Sequence, residues 1–399
     1  MELVNRNVLI CGASIAGPTL AYWLRGYGFR PTVVERAPRP RPGGYPIDVR
    51  GQAVRVAERM GVLPELRRAV TDTDGLAFVD ARNRTVSRLD LRALRAKVPT
   101  HDLELPRGDL AETLYAATRN DVEYLFGDSI RDLSPDPDGV TVGFASGNTR
   151  RFDLVVGADG LHSTVRRLTF GPEPGFVRHL GWAVAVATVP GSRPSTPDGW
   201  LTMYNSPGRL AGLGRWRAGQ PPVAIFMYRT DGEPTRDKET LISAFRGEGW
   251  QVPELLTEVA ATDDFYFDTV SQVHLPEWTR DRVALVGDAA YCPALLSGAG
   301  SSLAMIGAYL LAGELNAAGG EHRTAFAAYE RALRPAVAAG QAGVRQSAGM
   351  MIPGSPLAIW RRNQLTRLAL PLATVTSLVR RHSPAGPPLT DYAAPARPS

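Results

Sequence analysis

The sequence predicts an α/β fold: a domain built on a parallel sheet, split by an inserted, mainly antiparallel sheet domain and followed by C-terminal helices. Three observations predict it. Residues 7–35, NVLICGASIAGPTLAYWLRGYGFRPTVVE, read as strand, glycine-rich turn, helix and a second strand that stops on an acid. From about Phe176 the texture changes to short alternating strands divided by Gly/Pro turns. A buried, parallel-type strand returns at 282–287, and the chain from about Gly300 reads as helical. The expected boundaries are therefore 1–175 and 279–345 for the two parts of the parallel-sheet domain, 176–278 for the insertion and 346–399 for a C-terminal helix and tail.

The first unit carries a specific chemistry. Asn7 to Cys11 is short and apolar, as a strand covered on both faces must be. Gly12, Ser14 and Gly17 occupy the three fingerprint positions of a dinucleotide-binding turn, with Ala16 inside it. Gly12 allows the tight turn, and Gly17 lets the following helix pack closely on the strand. The start of that helix offers free N–H groups and the positive end of a dipole to a pyrophosphate. Glu35, followed by Arg36, ends the second strand, where a carboxylate accepts ribose hydroxyls and disfavours a 2′-phosphate. This is a Rossmann-like unit, and the tightly bound ligand it fits is FAD or NAD rather than NADP.

Further along, 51–60, 63–70 and 105–119 read as helices, the last opened by Pro106 and Arg107. Residues 140–144 and 152–156 read as strands, followed in the inserted domain by 182–189, 200–204, 210–216, 223–228 and 265–274, with a helix near 238–246. At 399 residues, 44% hydrophobic and 21% charged, the chain has the composition of an ordinary globular protein. The net charge of +5 is spread out, and no basic stripe alternates with aromatics, which argues against nucleic acid as a partner. Two cysteines, Cys11 and Cys292, make no disulfide framework and fit a reducing, cytoplasmic setting. No histidine spacing suggests a metal site. No apolar run is long enough to span a bilayer; 365–379 is interrupted by Arg367 and Pro371 and reads as a C-terminal helix packed across the domains, with a membrane-surface helix as the alternative.

Two more motifs follow the first. DLVVGADGLHSTVR at 153–166 is a strand ending in Gly-Ala-Asp159-Gly160, so Asp159 falls at the carboxyl edge of the sheet, where ligands sit; as plain structure it is a tight turn with an Asp cap. RVALVGDAAYCPALLSGAG at 282–300 is a strand ending in Gly287-Asp288. Asp288 is placed to bond a ribityl or ribose hydroxyl, and Gly298 to Gly300 open a helix toward the cofactor.

With GASIAG at 12–17, GGYPIDVRG at 43–51, LPRGDL at 105–110, GADG at 157–160, GDAAYCP at 287–293 and SGAGSSLA at 297–304, nearly the whole chain resembles the single-component FAD-dependent aromatic hydroxylases, the group of para-hydroxybenzoate hydroxylase, and within it the branch of the tetracycline-inactivating monooxygenases. The resemblance implies FAD held by Gly12, Glu35, Asp288 and the backbone of Gly298, Ala299 and Gly300. It implies that Arg107 faces the flavin phosphates and ring, that Arg50 lies where the chain passes the ring, and that the Pro293 carbonyl sits near flavin N5. Asp159 with Gly160 is implied in cofactor and NADPH handling. Pro293, Arg50 and Asp159 are the residues the resemblance brings to the chemistry. That chemistry is reduction of FAD by NADPH or NADH, formation of a flavin C4a-hydroperoxide with O₂, and oxygen transfer to a bulky aromatic or polyketide-like molecule in a site that excludes water. No second dinucleotide motif followed by an acid is present, which fits transient docking of the reductant.

Three positions depart from the family pattern: Ser14 for glycine, Tyr291 where many members carry histidine, and Ala299 for a frequent glutamine. On the substrate side, Met203, Trp216, Phe226 and Met227 are candidates for an apolar pocket or for ordinary strand core, and Arg215 for orienting a phenolate or carboxylate or for a surface charge. Two other functions leave the cofactor motifs unchanged: a non-redox cyclase that keeps FAD as scaffold, and a flavin dehydrogenase or oxidase. The expected assembly is a monomer or homodimer.

Overall fold

The computed structural model describes residues 3–41, 44–97, 101–368 and 389–392. Its foundation is a six-stranded sheet in the order Thr279–Arg280, Val283–Leu285, Leu154–Gly157, Asn7–Cys11, Arg30–Glu35, Glu123–Phe126. All neighbours run parallel except the first pair. Val8, Leu9 and Ile10 are fully buried, as a central strand with helices on its faces requires. The register sets Cys11 beside both Gly157 and Val34, and Gly157 beside Leu285. The residues that follow these strands therefore emerge at one edge, which gathers the three sequence motifs into a single crevice.

The helix Ala16–Gly26 packs against the long helix Gly300–Ala317, which in turn packs on His322–Gln341. The close fit at the first turn is steric. A methyl group on Gly17 would lie 1.9 Å from the Gly12 carbonyl oxygen, and one on Gly12 would lie 2.4 Å from the Ala158 oxygen. Gly12 also has φ +112°, a backbone conformation that side chains rarely adopt.

The inserted domain is a seven-stranded sheet in the order Phe265–Val273, Val177–Thr188, Val223–Arg229, Arg209–Gly214, Trp200–Ser206, Gly75–Val79, Thr85–Asp90. The last two strands correct the expected boundaries: residues 75–90 precede the insertion in sequence yet pair with it, Gly75–Val79 running parallel to Trp200–Ser206. Another correction falls at 105–119, where the strand Leu103–Pro106 leads into a helix that begins only at Arg107. The helix Val252–Ala261 was not anticipated.

This second sheet has two unlike faces. Ala183, Ala185, Phe226 and Phe267 form one apolar cluster with Leu241 and Phe245 and with Val252, Leu255 and Val259 from the insertion's own helices. Trp182, Met203, Leu210 and Val270 belong to the other cluster, which includes Ala294 from the third motif and Val344, Ala348 and Ile352 from the C-terminal part. The sheet is thus a roof with its second face over the crevice. The helix Pro356–Leu368 lies across the Trp200–Ser206 and Thr85–Asp90 strands; residues 369–379 of the expected C-terminal helix lie outside the described residues. No described helix is long and apolar enough to cross a membrane.

Because neither neighbour of Gly17 can yield without opening the first turn, Gly17→Ala should cost about 3 kcal/mol or more of stability. A thermal melt of the purified variant against wild type checks this; an unchanged midpoint would show that the helix is free to slide off the strand.

Candidate active site

At the crevice two helices begin without a capping side chain. Ile15 precedes Ala16–Gly26 and Ala299 precedes Gly300–Ala317, and neither supplies a side-chain cap. Gly287 sits beside both helices: a methyl group there would lie 3.1 Å from Ala16 Cβ and 3.5 Å from Ala304 Cβ. The first-turn N–H groups have no helical acceptor, so this is an anion-accepting corner. Ser14 lies at it, and its hydroxyl accepts a 2.9 Å bond from Arg107 Nη1. Arg107 is thereby brought to the first turn, across 93 residues of sequence.

Glu35 reaches back to the same turn. Its two carboxylate oxygens accept from Ala13 N and Ala37 N, both at 2.9 Å. Arg36 is exposed beside it. Asp288 starts a short helix at the end of the strand Val283–Leu285; burial raises its pKa, while the Cys292 thiol and Arg107 act to lower it. Gly300 lies beside it, where a methyl group would make ordinary contact, 3.7 Å from Asp288 Oδ1. Gly298 is left-handed, at φ +64°. A methyl group on it would lie 2.9 Å from Asp48 Oδ2 and 3.3 Å from Arg50 Nη1. Arg50 and Asp48 form an ion pair at 2.7 Å, and Arg50 N donates to Ser302 Oγ at 2.9 Å. Burial raises the pKa of Asp48 despite Arg50. Ala299 is buried, its N–H held by Ser297 Oγ.

Pro293 is buried, and its carbonyl accepts a 3.1 Å bond from Gln272 Nε2, a residue of the roof sheet. The next residue, Ala294, has φ +83° and ψ 149°, a region that is almost exclusively glycine's. Asp159 lies beside this crevice, but its carboxylate is used locally. It accepts from Ser163 Oγ at 2.6 Å and from the N–H groups of Thr164 and Val165 at 2.7 and 3.1 Å, which caps the helix Thr164–Thr169. Gly160 next to it has φ +79°, and nothing would lie within 4 Å of a methyl group there, so its backbone faces open space.

These features fit an FAD: donors for the pyrophosphate, an acid at each expected hydroxyl position, and glycines where backbone must come close. The comparisons agree. Residues 5–340 match the family described as FAD binding domain. The chain belongs to this FAD-binding family. The flavoprotein is 39% identical over 345 residues to a flavin-dependent monooxygenase of an unknown prokaryotic organism, covering 85% of this chain and 88% of the relative. It is 44% identical over 331 residues to an uncharacterised protein of Mycobacterium tuberculosis, covering 81% and 88%. Among solved structures, it is similar to the tetracycline destructase Tet(55), with TM-score 0.84 and 34% identity over 98% of this chain and all of that one. It is an FAD-dependent monooxygenase.

The flavoprotein departs from the expected substrate residues in two places. Met203 and Trp216 do share the inward cluster with Ala294, and Ile225, Met227 and Leu296 are half-buried against it. Phe226 does not: it alternates with Met227 to the outer face and packs edge-on against Phe245, ring centroids 5.0 Å apart. Arg215 is spent at the end of its strand on Gln220 O and Asp198. Tyr291 is buried with its hydroxyl against that of Tyr329. Both cysteines stay protonated: burial pushes the Cys11 and Cys292 thiols well up, helped by the charges of Asp159 and Glu35 for one and Asp288 for the other.

Several site residues escaped the sequence. Asp48 lies within the GGYPIDVRG motif, and nothing local in the sequence marks it as the partner of Arg50. Tyr45 and Tyr266 pair across the crevice, centroids 5.5 Å apart, and Tyr266 donates to Asp268 at 3.3 Å. Asp268 also meets His162 and Arg236, both at 3.4 Å, and His162 Nδ1 lies 2.8 Å from Glu173. This group ties the roof strand to the loop after Asp159. Only Gly287, Gly298 and their like have local signals; a bond such as Gln272 to Pro293 has none.

If Asp288 bonds a cofactor hydroxyl as expected, Asp288→Ala should lower FAD affinity about 10- to 150-fold, measured by titrating apoprotein. The Asp268 and Glu173 carboxylates raise the His162 pKa against burial. A raised folded-state value stabilises below the unfolded value of about 6.5 and loses that contribution as pH climbs through the folded one. The thermal midpoint of wild type should therefore drop between about pH 6 and pH 8 more than that of His162→Gln; parallel profiles would show that the bridge adds nothing.

Proposed function

We propose that this flavoprotein uses NADPH or NADH and O₂ to place one oxygen atom on a bulky aromatic or polyketide-like small molecule, by hydroxylation or insertion. One observation carries the substrate reading. Ile225 and Met227 lie on a strand in the middle of the roof sheet, on its inward face, yet are only half-buried. Apolar side chains left accessible there, opposite the loop of Ala294 and Leu296, suit a flat apolar ligand held between roof and flavin loop. The Tet(55) likeness supports it, since that protein's name gives it tetracycline, a fused-ring molecule.

When bound, FAD would supply the redox chemistry that links a nicotinamide nucleotide to O₂. The chain's own residues bind, orient and exclude. The two helix starts, Ser14 and Arg107 suit the pyrophosphate, and Glu35 and Asp288 suit cofactor hydroxyls. Gln272 fixes the Pro293 carbonyl, and Arg50 is held by Asp48 next to Gly298. The roof's apolar face keeps water from the reacting atoms, which limits loss of oxidising equivalents as H₂O₂. Asp159 orders the turn that offers the Gly160 backbone to a transient nicotinamide nucleotide.

Holoenzyme mixed with NADPH, O₂ and a panel of polycyclic phenols tests the reading. Oxygen uptake and NADPH loss should rise with a substrate, and the product should gain one oxygen. Product formed without NADPH or O₂ would replace this reading with the non-redox cyclase; flavin reduction by the substrate alone would replace it with the dehydrogenase or oxidase.

A further inference from the structure

Arg362 projects from the helix Pro356–Leu368 onto the roof sheet. Its guanidinium carbon lies 4.0 Å from the centroid of the Phe78 ring. Nη2 donates to Asn205 Oδ1 at 2.8 Å and Nε to Asn363 Oδ1 at 3.0 Å. Phe78 belongs to the inward cluster, with Met203, Trp216 and Ala294. The cation therefore packs on the same face of the roof sheet as the cluster that includes Ala294 of the flavin loop.

Its charge is not balanced there. A guanidinium has five donors, and only two meet a protein acceptor among the described residues. No carboxylate pairs with it among the described residues. Its neighbourhood in sequence cannot supply one: no Asp or Glu occurs between Glu330 and Asp391, and Asp391 pairs with Arg59. Burial lowers its pKa to about 10. A partly buried cation without a counter-charge is costly unless something else completes it. This one is also pre-ordered, set over a ring and braced by amide oxygens, with both Nη1 donors and one Nη2 donor left over.

We propose that Arg362 is a specificity-determining residue that receives an ionised oxygen of the substrate: an enolate, phenolate or carboxylate attached to a ring system. The inference rests on the substrate reading above, in which the rings lie against Ile225 and Met227. The charged oxygen then reaches the far wall, away from the flavin loop. A guanidinium fork matches the two oxygens of a carboxylate or of an enolised diketone, which a neutral polycycle lacks. The arginine thus selects for acidity in a chamber whose other walls select only for shape.

The test uses holoenzyme and two probes of nearly the same shape, alizarin above its first ionisation and alizarin dimethyl ether. Binding is read from the perturbation of flavin absorbance. Wild type should bind the alizarin anion roughly tenfold or more tighter than the ether. Arg362→Met should bring the two to near equality by weakening the anion alone, and Arg362→Lys should keep part of the preference. A preference that survives in Arg362→Met overturns the proposal, as does wild type that binds neither probe or does not distinguish them. FAD content and melting curves report whether Arg362→Met folds. If it does not, Asn205→Leu removes the brace and should lower the preference; an unchanged preference there overturns the proposal instead. Oxygen transfer is scored separately by product mass, so an anion preference without oxygenation would fail the monooxygenase substrate reading while leaving Arg362 in its role.

Discussion

Two helices that begin side by side with no caps of their own govern the rest of this structure. The starts of Ala16–Gly26 and Gly300–Ala317 are both adjacent to Gly287, and their unsatisfied N–H groups need an acceptor from outside the fold. The sheet register delivers all three motifs to that corner. The corner explains why Gly12, Gly17 and Gly298 stand there, since a Cβ on each would lie under 3.0 Å from backbone or side-chain atoms. It also explains why acids are arranged around it: Glu35 is already bonded to the first turn, and Asp288 is half-buried nearby, with its pKa raised by desolvation.

What the sequence disclosed follows from the range of the interactions. Gly12, Gly17 and Gly298 mark turns whose geometry is set by neighbours within a few residues, so their motifs were readable. The places expected for Arg107 and Arg50 came only through a family likeness, because Ser14 and Gly298, which they approach, are far away in sequence. Residues 75–90 were assigned to the wrong domain because a parallel pairing with 200–206 leaves no turn between the strands to read. Phe226 shows a subtler limit. Alternation divides a strand into two faces, but both faces of this sheet are apolar, so nothing local distinguishes the face over the crevice from the face under the helices. Asp159 was legible both as a ligand-side acid and as a cap, and its carboxylate is found capping.

The roof combines two kinds of constraint. Its outer face is a packed core, with Phe226, Phe245 and Phe267 filling the space between sheet and helices. Its inner face is less filled, with hydrogen-bonded polar groups at its margins: Gln272 and Asp268 on the flavin side, Asn205 and Arg362 at the other end. Apolar surface in the middle with polar groups at the ends positions a ligand along one axis, and ties its orientation to the same strands that fix the Pro293 carbonyl.

Ala294 carries a cost that its neighbours conceal. A non-glycine residue at φ +83° stores about 1–3 kcal/mol of backbone strain, held in place by the packing around it. Screens for thermostability reward release of that strain, and glycine at 294 is the simplest release. Selection for a tougher enzyme would thus act first on the loop that shapes the chemistry, loosening it. Here robustness and catalytic order compete for one residue.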